Sequence, residues 1–373
     1  MKSLKSKLFL FLVIAGFLFV SAHAQGVETK EDKQILLMEQ AIEDDPALAS
    51  LIRFFGDPNA LLARFNQGRK EENERWQQKQ ATIQKIDNLG TTKTLEILPL
   101  IDWYTRGEIL KKEAGVSYLI KTDHSTTLFD VGANGGQGDP SPLLHNMNEL
   151  GVSLDDFDTV FISHNHGDHV GGMSWQRQNT FSLTSHQINL GQKRIYTPLP
   201  MTYPGLTPTY AENPTIISKG VATIGVISRQ LFFIGQTPEQ ALAVNVDGRG
   251  IVLIAGCGHQ SLSKILERAK ALFDKPIYGL IGGLHYPVTD SRIVTMSGIK
   301  VQMYGGTGKV PWQPITIEEV QNNIDLIKKH NPGVVGLSPH DSCDASLAAF
   351  RQAFPEIYKE IKVGERMVIG KHK

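Results

Sequence analysis

Cysteine is nearly absent. Cys257 and Cys343 are the two in 373 residues, so one disulfide is the most the chain can close. Neither sign of charge is in excess: 38 Lys and Arg stand against 38 Asp and Glu, which removes the broad cationic footprint expected of a nucleic-acid-binding surface. The apolar run Leu8 to Val20 has thirteen residues, short of the roughly 20 that a membrane span needs. No low-complexity tract is present. The glycine-rich stretch Gly132 to Gly138 lacks the Lys and Ser/Thr of a phosphate-cradling loop and reads as a flexible loop. What is present, 41% hydrophobic and 20% charged residues, suffices for a globular chain with a sizeable core.

The first residues have the pattern of an export peptide. Lys2, Lys5 and Lys7 precede the apolar run, and Ala22-His23-Ala24 offers a small-x-small cleavage site before Gln25. No cysteine follows the run, which argues against a lipoprotein. Residues 1–24 are therefore expected to be removed, leaving a periplasmic or secreted protein without a stable membrane anchor. Residues 25–90 are polar and glycine-poor, with apolar positions at helical spacing (Ile35, Leu36, Met38, Ile42; Leu48, Leu51, Ile52, Phe55) and prolines 46 and 58 near helix starts. They predict an extension of two or three helices that packs on the main domain or mediates association. The segment Gln67 to Lys85 reads as one solvated helix, with Arg69-Lys70-Glu71-Glu72 as an exposed face.

From Thr94 the chain turns to short apolar strands separated by glycine-rich turns. Leu95 to Leu100, Val116 to Lys121 and Thr126 to Gly132 are the opening strands. The most informative run follows the apolar segment Thr159 to Ile162. It reads Ile-Ser-His-Asn-His-Gly-Asp-His-Val-Gly-Gly and places His164, His166, Asp168 and His169 within six residues. Imidazoles and a carboxylate this close, at the end of a rigid strand, can converge on one or two divalent cations. Gly167, Gly171 and Gly172 permit the tight turning that brings such side chains to one centre. Imidazole suits zinc, copper, iron and nickel, and the carboxylate extends the range to harder ions.

Three further histidines stand after strand-like runs: His259 after Ile251 to Gly256, His285 after Ile277 to Gly283, and His340 after Gly333 to Pro339. Their shared placement predicts that they join the same centre. Each cysteine lies beside one of them, Cys257 in Gly-Cys-Gly-His and Cys343 in His-Asp-Ser-Cys. Ordinary buried thiols, a disulfide and thiolate ligands are all open readings.

The spacing His-x-His-x-Asp-His-x-Gly-Gly resembles the signature of the metallo-beta-lactamase superfamily. That resemblance implies an α/β fold, a four-layer αββα sandwich of two mixed sheets with helices outside and an open metal site at one edge. It covers the domain expected at residues 91–373. It also implies that Asp130, in Asp130-x-Gly132, braces the metal-binding loop. Gly-Cys-Gly-His, Gly-Gly-Leu-His and Pro-His together resemble the branch of the dihydropterin-ribofuranosylaminobenzene-phosphate synthases over residues 94 to 370. One departure stands out: Gly256-Cys257 occupies the place where many members have Gly-Asp with a metal-bridging Asp. Cys257, His259 or His285 could replace that carboxylate, or only one metal is held tightly, with Glu239 and Asp247 as lesser candidates.

A metal with an open position activates water at neutral pH and polarises carbonyl or phosphoryl oxygens. The expected function is therefore metal-dependent hydrolysis of a small ester-like substrate, a phosphoester, lactone or amide. The site residues are His164, His166, Asp168, His169, His259, His285 and His340. Asp168 serves as ligand or as the catalytic carboxylate on water. One or two ions are expected, zinc first, with iron or manganese as alternatives. The competing classes are a non-hydrolytic metalloenzyme (an iron redox enzyme or a pterin-related synthase) and a metal-bearing binding protein working through the helical extension. Met173 to Pro214 and Ser291 to Pro314, rich in aromatics and glycine, are expected to wall the pocket or to cover the sheet edge. His186, within the first of them, is not expected to bind metal.

Overall fold

The computed structural model describes residues 30–289 and 300–370. The export peptide expected at residues 1–24, and positions 291–299 of the second expected pocket loop, lie outside them. The chain divides into two compact units on either side of Asn59 and Ala60.

The first unit is helical. Helix α1 (Lys30–Asp44) is followed by α2 (Pro46–Phe55), whose start is capped by Asp45: its carboxylate accepts the backbone N–H groups of Ala47 and Leu48, each at 3.0 Å. Pro46 opens α2 at a position where its missing N–H costs nothing. Leu48, Ala49, Leu51 and Ile52 are buried.

Helix α3 (Pro58–Ala81) begins at the second expected proline, and from Ala60 it belongs to the second unit. Its limits correct the helix expected at Gln67 to Lys85. Arg69, Lys70 and Glu71 are exposed as expected, and the exposed reading fails at Glu72. Glu72 is 6% exposed, accepts from Gln236 at 2.8 Å and pairs with Arg75, while Trp76 is covered by the guanidinium of Arg268 at 4.9 Å. Phe65 packs on Phe232 at 5.3 Å. Tertiary contact, which a local charge pattern cannot report, buries Glu72 and half-buries Trp76.

The strands begin with β1 (Thr94–Ile101), β2 (Ser117–Thr122) and β3 (Thr126–Phe129), an antiparallel meander. Helix α4 (Pro142–Glu149) then leads to β4 (Thr159–Phe161), α5 (Met173–Arg177), β5 (Arg194–Thr197) and β6 (Thr209–Tyr210), and β3 to β6 run parallel. The second sheet starts with β7 (Thr215–Ser218) and β8 (Val221–Thr223). A separate hairpin of β9 (Ile227–Leu231) and β10 (Gly235–Glu239) precedes β11 (Leu242–Val246) and β12 (Gly250–Ala255). After α6 (Leu262–Leu272) come β13 (Ile277–Gly282), α7 (Val301–Gly305), α8 (Ile317–Lys328), β14 (Val334–Leu337), α9 (Asp344–Ala353) and β15 (Met367–Gly370). The two large sheets have the orders β15-β1-β2-β3-β4-β5-β6 and β14-β13-β12-β11-β8-β7.

Side-chain alternation explains the layering. On β1, Leu95 and Ile97 enter the core between the sheets, while Leu98 and Leu100 enter a second core with Leu143 and Met147 of α4. On β12, Val252 and Ile254 face the first sheet, whereas Ile251 and Leu253 meet Ile265 of α6, Val320 of α8 and Phe350 of α9. Strands buried on both faces must be apolar throughout, which is why Ile251 to Ala255 carries no polar residue. Each such side chain contributes about 1.5–3 kcal/mol on burial. The result is the expected helix–sheet–sheet–helix sandwich. No helix among the described residues is long and apolar enough to cross a membrane.

Candidate metal centre

Parallel pairing of β12, β13 and β14 carries the C-terminal ends of all three to one edge of the second sheet, where Cys257, His259, His285 and His340 follow them. The end of β4 supplies the fourth arm from the first sheet. It is held in place by Ile162, which donates to the Tyr196 carbonyl at 2.9 Å, and by Gln240, whose side chain donates to the Ile162 carbonyl at 2.9 Å. Beyond it, the amides of His169 and Val170 return to the His166 carbonyl and close the turn. Gly171 follows at φ 86°, and a Cβ there would lie 2.0 Å from the Ser182 carbonyl oxygen. Only glycine fits.

All seven histidine and aspartate candidates converge, and Cys257 joins them. Ligand atoms lie within 4.8 Å of one another in each of three sets: His164, His166 and His259; Asp168, His169, Cys257 and His340; and Cys257, His259 and His285. Ring centroids are 4.1 Å apart for His164 and His169, 4.9 Å for His166 and His259, and 5.4 Å for His169 and His340. The thiol of Cys257 stands between two imidazoles, 3.1 Å from His169 Nε2 and 3.2 Å from His340 Nε2. Both cysteines are free, so the disulfide reading is excluded. Cys343 belongs to none of the sets and lies beside Ser346 Oγ at 3.5 Å. Asp247 is exposed, and His186 pairs with Asp139 at the surface.

Two aspartates fix the imidazole tautomers. Asp130 accepts from the Ser163 backbone at 2.7 Å, from Ser163 Oγ at 2.6 Å and from His169 Nδ1 at 2.7 Å. Having given its proton to Asp130, Ser163 Oγ accepts from His164 Nδ1 at 2.9 Å. Asp102 works in parallel. It accepts from Tyr118 Oη and Ser338 Oγ, both at 2.7 Å, and Ser338 Oγ accepts from His340 Nδ1 at 2.6 Å. His259 Nδ1 donates to the Gly306 carbonyl at 2.8 Å. Each of these four rings therefore turns its Nε2 inward. His285 is reversed: Nε2 donates to the Gln302 carbonyl at 3.0 Å, leaving Nδ1 as its lone-pair nitrogen.

His164 Nε2, His259 Nε2 and His285 Nδ1 are buried with no hydrogen-bond partner. Orphaned nitrogens are costly unless something completes them. Three of them beside a thiol and an ionised carboxylate fit a divalent cation, whose ligands must be unprotonated. Electrostatics agree. Burial holds the rings of His166 and His285 down to about 4, and burial with neighbouring histidines keeps His164 and His259 well below the usual imidazole range. Burial would raise the Asp168 carboxyl, but His169, His166 and His340 outweigh it and hold it far below the ordinary carboxylate range. His169 moves the other way: against its burial, Cys257, Asp168 and Asp130 push it well up.

Glu239 lies outside the ligand sets. Its Oε1 accepts the backbone N–H groups of Cys257 at 3.1 Å and Gly258 at 2.9 Å, shaping the turn that presents Cys257 and His259. Burial raises its carboxyl to about 7. Sequence reasoning missed Asp102, Tyr118, Ser338 and Gly306. The signals were slight: an Asp closing a strand, and a Ser two residues before His340.

Residues 110–293 match the model of the metallo-beta-lactamase superfamily. A curated relative, the 7,8-dihydropterin-6-methyl-4-(beta-D-ribofuranosyl)-aminobenzene-5'-phosphate synthase of Methanocaldococcus jannaschii, is 22% identical over 265 residues, covering 60% of this chain and 88% of that protein. A solved metal-dependent hydrolase of the beta-lactamase superfamily is similar in fold at 19% identity, with a TM-score of 0.50 over 74% of this chain and all of the other. A metallo-beta-lactamase fold protein of Bacillus subtilis matches at 15% identity and a TM-score of 0.44, over 74% of this chain and 99% of its own.

Proposed function

The chain carries a metallo-beta-lactamase superfamily domain, and from that premise we propose that it is an exported metal-dependent hydrolase of a small ester-like substrate: a phosphoester, a lactone or an amide. The observation that supports this reading is the set of inward Nε2 atoms on His164, His169, His259 and His340 beside the ionised Asp168. His164, His166 and His259 would hold one divalent ion, and Asp168, His169 and His340 with Cys257 a second. Zinc is the expected ion, with iron and manganese as alternatives. Such an ion supplies Lewis acidity toward a carbonyl or phosphoryl oxygen and lowers the pKa of water toward 7.

The chain's own residues supply the rest. Asp168, kept ionised, orients the attacking water and can take its proton at a carboxylate oxygen. Asp130 and Asp102 prevent the ligand rings from rotating, so each keeps its Nε2 toward the centre without reorganisation. No serine or cysteine nucleophile is needed: Ser163 Oγ is committed to Asp130 and His164.

A second reading, a non-hydrolytic enzyme, draws support from the name of the archaeal relative. The metal-loaded protein offered chromogenic phosphoesters, lactones and anilides separates the two. Turnover that vanishes in His166→Ala and Asp168→Ala, with circular dichroism unchanged, is the expected result; undiminished turnover in either variant contradicts it. Export rests on Lys2 to Gln25 and is tested by N-terminal sequencing of protein from cell fractions, which should begin at Gln25. Association through α1 and α2 is proposed on Leu36 and Phe54, the latter 83% exposed, and is tested by sedimentation.

A further inference from the structure

Arg229 on β9 carries a guanidinium that the metal chemistry above leaves unused. It is tied to the metal-ligand loop, since its Nη1 donates to the carbonyl of His259 at 3.2 Å. Among the described residues no carboxylate pairs with it. Glu319 acts on it at a distance, but the oxygens of Glu319 are held by Lys309 Nζ at 2.9 and 2.8 Å and by the Thr316 amide at 2.9 Å. A guanidinium stays charged at neutral pH. Arg229 is half-buried, and its remaining N–H donors are suited to an anion.

Its surroundings lead to the metal centre. Gly306 lies against the ring of His285, where a Cβ would fall 1.9 Å from Nε2, and Gly308 lies against Arg229, where a Cβ would fall 2.1 Å from Nε. Two residues of chain, a span of about 7 Å at most, thus connect the wall of the metal centre to the guanidinium. The Tyr286 hydroxyl, one residue beyond His285, interacts electrostatically with Arg229 and has no hydrogen-bond partner among the described residues. Arg69 adds positive potential from α3. A guanidinium and a hydroxyl close enough to interact, with no acidic partner among the described residues, suit an anion.

We infer that Arg229, with Tyr286, forms a subsite for an oxyanion group, a phosphate or a carboxylate, on the molecule that enters the metal centre. The planar guanidinium fork suits both groups, which it can engage through two parallel N–H bonds, as a lysine could not. The word substrate here rests on the hydrolase reading; binding of the anion does not.

Calorimetric titration of the full-length, metal-loaded protein with inorganic phosphate, and in parallel with acetate, tests the subsite without requiring turnover. Saturable binding is expected, weakened about 10-fold or more in Arg229→Gln and less in Arg229→Lys, in line with the loss of charge-assisted hydrogen bonds. Tyr286→Phe, which removes one hydroxyl, should weaken binding severalfold and decides the matter if Arg229→Gln fails to fold. The relative response to phosphate and acetate identifies the preferred oxyanion. Absence of saturable binding by either ion in the wild type, or unchanged affinity in the folded variants, as capture by the metal alone would give, overturns the inference. A protein that passes this test yet hydrolyses nothing refutes the proposed reaction and leaves the subsite standing.

Discussion

At the scale of single residues, the centre depends on groups that never meet the cation. Ser338 passes the constraint of Asp102 to His340, as Ser163 does from Asp130 to His164. Ser338→Ala should therefore free the His340 ring and lower metal affinity by about 10- to 100-fold, read by competition with a chromogenic chelator; unchanged affinity would show that packing alone holds the ring. Glu239 makes a prediction about pH. Its carboxyl is raised in the folded protein, so between about 4.5 and about 7 the native state keeps a proton that the unfolded chain releases. Stability of the metal-stripped protein should fall as pH rises through that window, by an amount on the order of 3 kcal/mol, and Glu239→Gln should flatten the curve. Parallel denaturation curves for the two proteins would contradict this. The seven residues that the fold brings together were legible in sequence as a candidate cluster because four share one run and three repeat one placement after a strand. Asp102 and Ser338 were not, because a lone aspartate or serine at a strand end serves many roles and only the fold brings residue 102 to residue 338.

Among elements, the decisive ones are short glycine-bearing connections at the strand ends. Gly306 gives its carbonyl to His259 and its bare Cα to the face of His285. A methyl group at Gly306 must displace one of them, so Gly306→Ala is expected to cut both metal content and activity while far-ultraviolet circular dichroism stays native. Retention of full metal content would show that the loop yields easily. The strands themselves were readable, since Ile251 to Ala255 and Ile277 to Gly282 are continuous apolar runs of the kind a doubly covered sheet demands. Helix α3 opens at Pro58 and exposes Arg69 to Glu71 as expected, but it ends at Ala81, and Glu72 and Trp76 are covered by contacts with Gln236 and Arg268, more than 160 residues away in sequence. Periodicity carries no record of such partners.

For the whole molecule, two sheets and three cores hold ligands from four strand ends at one edge, so the cation would link segments that span residues 164 to 340. An ion that binds the native arrangement and not the unfolded chain adds stability by mass action, about 2.7 kcal/mol at a free concentration 100 times its Kd. Chelation should lower the midpoint of thermal unfolding, and readdition should restore it; a midpoint indifferent to chelator would mean that no bound ion contributes to folding. The fold class was foreseeable from one short motif, whereas the partition of the chain at Asn59 and Ala60 was not, since helical periodicity continues across it. The central claim, that histidines distant in sequence share a cation, is met most directly by elemental analysis of full-length protein purified without added metal, alongside His164→Ala and His340→Ala. The account predicts one or two divalent ions per wild-type chain and a reduced content in each folded variant; a wild type free of metal, or variants that keep the full complement, would contradict it.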